Sequence, residues 1–417
     1  MKGMPQILTV RQQAEIIRPI LRKRLDMILP EAMRQANLDM WIILCQEDDY
    51  DPVFKTMVPL DTWAPILQLL IFYDRGPGKS MERINLSMTD TGDLYDRPWK
   101  GTRHEEQWTQ LREIIEERHP ERIGINIGRV NWAAGGLTYN LYQQLVETVP
   151  SIAGKLVSAE KACEYWLMTL TVEELEIYNH VARIAHEMIA ECFNPRSITP
   201  GITTTEDLEW AYWQRSLNLG LELAFKPFFR LMRRNTTKTI YPVEDKIIRR
   251  GDLLHCDVGI RYLRLNSDHQ ELAYVLPDGE TNAPEGFTRL LAEGNRLQKV
   301  FMNEFKLGLT GNELLAKILS AARLQGIPNP RVYSHSLGFY LHEPGPLIGL
   351  PWEQEINPGR GEVALGHNSC FTMELAVEDA VAEWDDQKVR LSLEQDVKFT
   401  GRGCEPLDAV QTSFHLI

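Results

Sequence analysis

The chain has no closely spaced cysteine pair, no long apolar run and no surplus of positive charge. Its six cysteines, Cys45, Cys163, Cys192, Cys256, Cys370 and Cys404, are scattered without a C-x-x-C step. That argues against a zinc finger and a disulfide framework, and fits a reducing compartment. No stretch approaches the roughly 18 consecutive apolar residues of a membrane-spanning helix. The start, MKGMPQILTVRQQAEIIRP, is broken by Arg11, Glu15 and Arg18 and lacks the apolar run of a signal peptide. The expectation is a soluble, cytoplasmic protein with no membrane partner. Lysine and arginine number 45 against 58 acids, a formal charge of -13, so the surface repels phosphate backbones and no nucleic-acid partner is expected.

What is present is globular: 43% hydrophobic and 25% charged residues can bury a core, and 417 residues exceed what one core holds, so two domains are expected. The first half alternates short apolar runs, LDMWIILC, ILQLLIFY, RINLSM and RIGINIG, with helical spacing over Glu105 to Glu117 and Leu137 to Thr148. This reads as a small α/β domain over 1–165. A long helix then opens at Thr171, with Glu174 three residues on as a capping box, and stops before Pro195. His180 and His186 lie on it and read as structural or surface histidines. From residue 166 to 417 the pattern is α+β: a helix from Thr204 or Thr205, a mostly β stretch, helices over Glu285 to Glu304 and Gly311 to Leu324, then short strands.

Asp257 and Asp268 sit on two consecutive strands of this second part. A hairpin turn near Tyr262 and Leu263 would set them opposite each other, Cβ atoms about 5 Å apart. Like charges so placed need a cation or a proton between them. Glu374 in CFTMELAVE and Glu394 in LSLEQDVKFT alternate with apolar neighbours and so face inward or onto a sheet surface, and His335 precedes another apolar run. Four inward carboxylates and an imidazole suit hard or borderline divalent metals, and two such ions would cancel the four negative charges. His269, next to Asp268, and Cys256, next to Asp257, are out of phase and read as facing away. Arg233, Arg234, Arg249 and Arg250 form two basic pairs that read as solvated surface, with a partner carboxylate or a substrate C-terminus as the alternatives.

These residues resemble, in order and spacing, the pita-bread metallopeptidases: methionine aminopeptidase, aminopeptidase P, prolidase and the related creatinase. The family's D-x-G is Asp257-Val258-Gly259 and its S-D is Ser267-Asp268. Its H-x-x-G-x-x-x-H-E is His335, Gly338, His342 and Glu343; its F-T-x-E is Phe371 to Glu374; its E-x-D-V is Glu394 to Val397. The resemblance implies a C-terminal pita-bread domain preceded by a creatinase/prolidase-type N-terminal domain, and a homodimer. It implies metal ligands Asp257, Asp268, His335, Glu374 and Glu394 around two divalent ions, manganese first, with cobalt, zinc or iron as alternatives. It also implies catalytic roles: Glu374 carries a proton from the attacking water to the leaving amine, and His342 donates to the developing oxyanion.

Closest is the Xaa-Pro branch, so the expected activity is release of an N-terminal residue from proline in small peptides, by an aminopeptidase or a dipeptidase. The chain departs from the family pattern in its supporting residues. Ile240 and Tyr241 stand in the region where the family carries a histidine, Ser392 replaces an arginine, Leu375-Ala376 replaces Pro-Gly, and Gln270 replaces a threonine. A diverted member doing other metal-assisted C-N cleavage or lyase chemistry is therefore one alternative, and a non-catalytic binding protein is another. The complete ligand set argues against both a creatinase and a binding protein.

Overall fold

The computed structural model describes residues 3–99 and 103–417. The chain forms two compact units, Leu8–Thr171, and Val172–Ile417 together with the start of the chain up to Ile7.

In the first unit, α1 (Val10–Gln35) is followed by β1 (Met40–Gln46), α2 (Pro52–Met57), β2 (Leu67–Tyr73), β3 (Glu82–Asn85), α3 (His104–Arg118), β4 (Ile123–Ile125), α4 (Tyr139–Thr148), β5 (Leu156–Ser158) and α5 (Glu160–Met168). The strands form one sheet in the order β3-β2-β1-β4-β5, with β1, β4 and β5 parallel, β2 antiparallel to β1, and β3 antiparallel to β2. The apolar runs of β1 and β2 are buried along almost their full length, as strands covered on both faces require. No expectation covered α1, because Pro19 and Pro30 interrupt its helical pattern. It nevertheless forms 26 residues of helix, with Leu21, Leu25, Leu29, Ala32 and Met33 on a buried face. Within that face Arg24 donates to Thr169 O (2.8 Å) and to Trp166 O, with its guanidinium 4.4 Å over the Trp166 ring.

The second unit opens with α6 (Val172–Cys192) and α7 (Thr205–Leu219). Then follow β6 (Glu222–Leu223), β7 (Phe228–Met232), α8 (Asn235–Lys238), β8 (Leu253–Val258), β9 (Ile260–Tyr262), β10 (Leu265–Asn266), β11 (His269–Tyr274), α9 (Glu285–Glu304) and α10 (Gly311–Leu324). The unit closes with β12 (Arg331–Leu337), β13 (Leu347–Ile348), β14 (Ser369–Val381), β15 (Gln387–Thr400), β16 (Gly403–Pro406) and β17 (His415–Leu416). Thr204 caps α7 and Thr310 caps α10, each in a capping box. The main sheet runs β13-β12-β14-β15-β11-β8-β7, with β16 beside β15 and β17 beside β11.

Alternation along β14 and β15 decides which side of this sheet is core. Met373, Leu375, Val377, Leu391 and Leu393 belong to the cluster built with Phe287, Leu291 and Phe301 of α9 and Leu314 and Ile318 of α10. Gly294 of α9 lets the helix approach closely, since a Cβ there would lie 2.6 Å from Leu393 Cδ1. The intervening residues, Glu374 and Glu394 among them, therefore face the opposite side of the sheet.

Two expectations are corrected here. The hairpin turns at Leu263 and Arg264, both left-handed (φ 50° and 70°), one residue later than predicted. Tyr262 therefore pairs with Leu265 and Asp257 with Gln270, while Asp268 falls in the break between β10 and β11. The second concerns Arg233, which is not solvated surface. It is 1% exposed and bonds Asp252 through both Nε and Nη2, at 2.7 and 2.6 Å. Arg234 pairs with Asp385 on the surface, as Arg249 does with Asp245 and Arg250 with Asp278 in more open settings. Among the described residues no helix is long and apolar enough to cross a membrane.

Candidate metal centre

The sheet register assembles the site. Tyr333 of β12 lies opposite Glu374 of β14, Glu374 opposite Glu394 of β15, Glu394 opposite Gln270 of β11, Gln270 opposite Asp257 of β8, and Asp257 opposite Phe228 of β7. One row across six strands thus carries three carboxylates on one face, each strand about 4.8 Å from the next. Asp268 enters this face from the break before β11, and His335 from two residues beyond Tyr333. Ligand atoms of Asp268, His335 and Glu394 lie within 4.8 Å of one another, and all three residues are buried.

Local structure explains the motif residues that carry no charge. Gly259 follows Asp257 because a Cβ there would lie 2.2 Å from Ser267 O, which would push the Asp268 segment away. The Asn266 side chain donates to Gly338 O (3.1 Å) and Phe339 O (2.8 Å), pinning the loop that carries His342 and Glu343. Glu343 accepts from Tyr340 N at 2.6 Å, and its carbonyl accepts from Arg360 at 2.6 Å. His335 Nδ1 meets Ser336 O at 3.1 Å, which places the proton there and leaves the Nε2 lone pair 3.7 Å from Asp268 Oδ2. The rings of His335 and His342 meet edge to face at 4.5 Å.

Crowding of acids in a dry place perturbs all of them. Burial pushes the Asp257 carboxyl up to about 6, against the opposing pull of Arg230. Burial holds Glu374 up to about 7, offset in part by a hydrogen bond from Gln270. Asp268 is driven well above the carboxylate range by burial and then by Asp257, Asp396 and Glu374. Glu394 is driven up by burial and by Asp268, Glu374 and Asp257. Burial, with His342 beside it, pulls His335 down to about 3, so its imidazole is neutral at neutral pH. His342 is lowered by burial and by the Arg360 charge.

Asp268 Oδ1 and Glu394 Oε1 are buried with no hydrogen-bond partner. An ionised oxygen in that position costs several kcal/mol unless a cation meets it. Carboxylates with open oxygens beside a neutral imidazole form a donor set for a hard or borderline divalent ion, and the residues fit one.

All five proposed ligands lie on this face, with Asp257 and Glu374 beside the tight group of three in the same row. His269 points to the other side, where it meets the His186 ring at 4.5 Å. His186 is structural but not remote from acids: it bonds Asp408 Oδ2 (2.9 Å) and lies 3.8 Å from Glu271. Cys256 is fully buried. Sequence reasoning named Gln270 among the supporting residues but did not show which acid it orients, and it gave no such role to His255 or Asp396. Gln270 donates to Glu394 Oε2 at 2.7 Å and is itself held by His255 Nε2 at 2.8 Å, while the Asp396 carboxylate lies 3.3 Å from Asp268 N. The signal for Gln270 was its position two residues from Asp268 on the same strand face. Tyr241, flagged as a stand-in for the missing histidine, is 44% exposed and stacks under the Arg249 guanidinium at 4.2 Å.

A two-unit chain whose second unit presents buried acids and an imidazole on one sheet face defines a hydrolase of the pita-bread class. The profile of metallopeptidase family M24 matches residues 176–400, and the chain belongs to that family. Its fold is similar to the X-Pro aminopeptidase of Thermotoga maritima: TM-score 0.64 and 17% identity over 93% of this chain and 100% of that one. It is also similar to the Xaa-Pro dipeptidase of Bacillus anthracis (0.60, 16%, covering 98% and 100%) and the prolidase of Pyrococcus furiosus (0.56, 18%, covering 92% and 98%). Comparison with curated protein sequences gives no match.

Proposed function

We propose that the chain is a dinuclear-metal exopeptidase that hydrolyses the bond between an N-terminal residue and proline, working in the cytoplasm as a homodimer. The observation that carries this reading is the row Asp257, Gln270, Glu394, Glu374 with Asp268 and His335 closing on it. The Xaa-Pro peptidases to which the chain is similar over almost its whole length support the substrate class.

Asp257, Asp268, His335, Glu374 and Glu394 would hold two divalent ions, manganese foremost. Such ions supply an activated water and a Lewis acid for the scissile carbonyl. The chain's own groups do the rest. Glu374, held near neutrality by burial, accepts a proton from the attacking water and returns it to the leaving amine. His342 donates a hydrogen bond to the oxygen that becomes negative. Gln270 keeps Glu394 in one orientation.

Xaa-Pro dipeptides and longer Xaa-Pro peptides, supplied with manganese or cobalt, test the reading against a Glu374→Ala control. Cleavage by the wild type that the control lacks is expected. Bound metal without cleavage of any Xaa-Pro peptide would favour the second reading, a diverted metal-assisted reaction on a small molecule. Ile240 and Tyr241, standing where the family has a histidine, favour that alternative.

A further inference from the structure

Beside Glu374 the acid-bearing face continues into a small, open cleft whose walls include Arg331, Tyr333, Glu374, Ala376, Arg390 and Ser392. The register fixes how these residues stand. Arg331 lies opposite Ala376 and Ala376 opposite Ser392, one step along the strands from the Tyr333-Glu374-Glu394 row. Arg390, opposite Glu378, is one step further. All have the parity of Glu374, so they line the same face of the sheet.

Two features give this cleft its character. The floor is made of short side chains: Ala376 lies between Arg331 and Ser392, and Ser392 stands where the family pattern has a long arginine. The rim carries cations instead. Arg331 donates from Nε to Pro351 O at 3.2 Å, and Arg390 Nε lies 3.4 Å from Glu378 Oε2. The Arg331 guanidinium is thereby anchored through Nε, which orients its plane, while Arg390 is held by its ion pair with Glu378. With Glu374 committed to the ions it would hold, two guanidinium groups against one Glu378 leave a local excess of one positive charge, on a chain whose formal charge is -13. Planar forks of this kind match a carboxylate in geometry as well as in sign.

We propose that this cleft is a substrate subsite that receives a carboxylate between Arg331 and Arg390, so that the preferred peptide carries a negative charge within about one residue of the bond it loses. The inference rests on the peptidase reading for its substrate, and on the cleft alone for its chemistry. The carboxylate has two possible sources, an acidic side chain or the free C-terminus of a dipeptide.

Calorimetric titration of the metal-loaded protein with glutarate, and with glutaramide as the uncharged counterpart, tests the cleft without requiring turnover. Glutarate binds the wild type, and the double variant Arg331→Gln/Arg390→Gln weakens that binding about tenfold or more, as expected for lost charge-assisted hydrogen bonds. Glutaramide is unaffected. Both arginines reach solvent, and metal stoichiometry equal to wild type verifies that the variant is folded. The variant Arg331→Lys/Arg390→Lys recovers part of the affinity, because charge returns without the fork. Equal glutarate affinity in wild type and double variant overturns the proposal.

Kinetics then distinguish the sources. A kcat/KM ratio of Glu-Pro over Gln-Pro that falls about tenfold in the double variant assigns the side chain. The same fall for Ala-Pro over Ala-Pro-amide assigns the C-terminus. Hydrolysis with neither ratio changed refutes the subsite. Absence of all hydrolysis refutes the peptidase reading instead, and the titration still decides the cleft.

Discussion

Replacing Glu374 by glutamine removes one of the crowded carboxyls with little change of shape, and its effect on stability can be worked out with sign. In the folded chain burial holds the Glu374 carboxyl at about 7, against 4.5 for the free side chain. Below the lower value both states are protonated and the group contributes nothing. As pH rises through this window the unfolded chain ionises first, so the folded state loses stability until the carboxyl ionises there too. Above about 7 the penalty is complete. At 1.36 kcal/mol per pH unit it amounts to about 3 kcal/mol. The wild type without metal should therefore lose about 3 kcal/mol relative to Glu374→Gln between pH 4.5 and pH 8. For a unit of 150–250 residues this corresponds to a difference in Tm of roughly 6–12 °C. Thermal unfolding of chelator-treated protein, followed by circular dichroism at several pH values, measures it. Subtracting the variant from the wild type cancels titrations of groups that Glu374 does not touch; Asp268 and Glu394, which Glu374 pushes up, are eased in the variant as well. Manganese at one thousand times Kd should reverse the order, because cation binding then stabilises the wild type by about 4.1 kcal/mol and the variant lacks a ligand. A wild-type-minus-variant difference that stays flat with pH in the metal-free protein would refute the crowding argument.

Two further outcomes follow from named contacts. Gln270→Leu leaves every proposed ligand in place but frees Glu394 Oε2 from its donor. Metal affinity should fall about 10- to 100-fold, measured by competition with a chelating dye, and an unchanged affinity would remove Gln270 from the site. Asp252→Ala strands the buried Arg233 guanidinium, which bonds Asp252 at 2.7 and 2.6 Å. Destabilisation of about 3–5 kcal/mol in urea melts is expected, and a loss below 1 kcal/mol would count against a buried pair.

Much of this was legible from local pattern. Alternation of apolar and polar residues along β14 and β15 put Glu374 and Glu394 on the face away from the α9 cluster. Helices with strong spacing, such as α9 and α10, fell where the sequence placed them. What local pattern missed has definite causes. Helix α1 was hidden by two prolines, which a buried face of leucines overrides. The acids around His186 come from positions 271 and 408, far along the chain, and no helical spacing reveals them.

The amino-acid order by itself determined which residues could be donors and which side of a strand each would take, because side-chain parity follows from two-residue periodicity and needs no partner. Only the tertiary structure decided who stands beside whom. A turn made by two left-handed residues, Leu263 and Arg264, moved the partner of Asp257 from Asp268 to Gln270. It thereby turned an expected acid pair into a row in which a glutamine aligns one carboxylate. Strand register is set by backbone angles at a single turn, and nothing in the side-chain chemistry of the flanking strands fixes them.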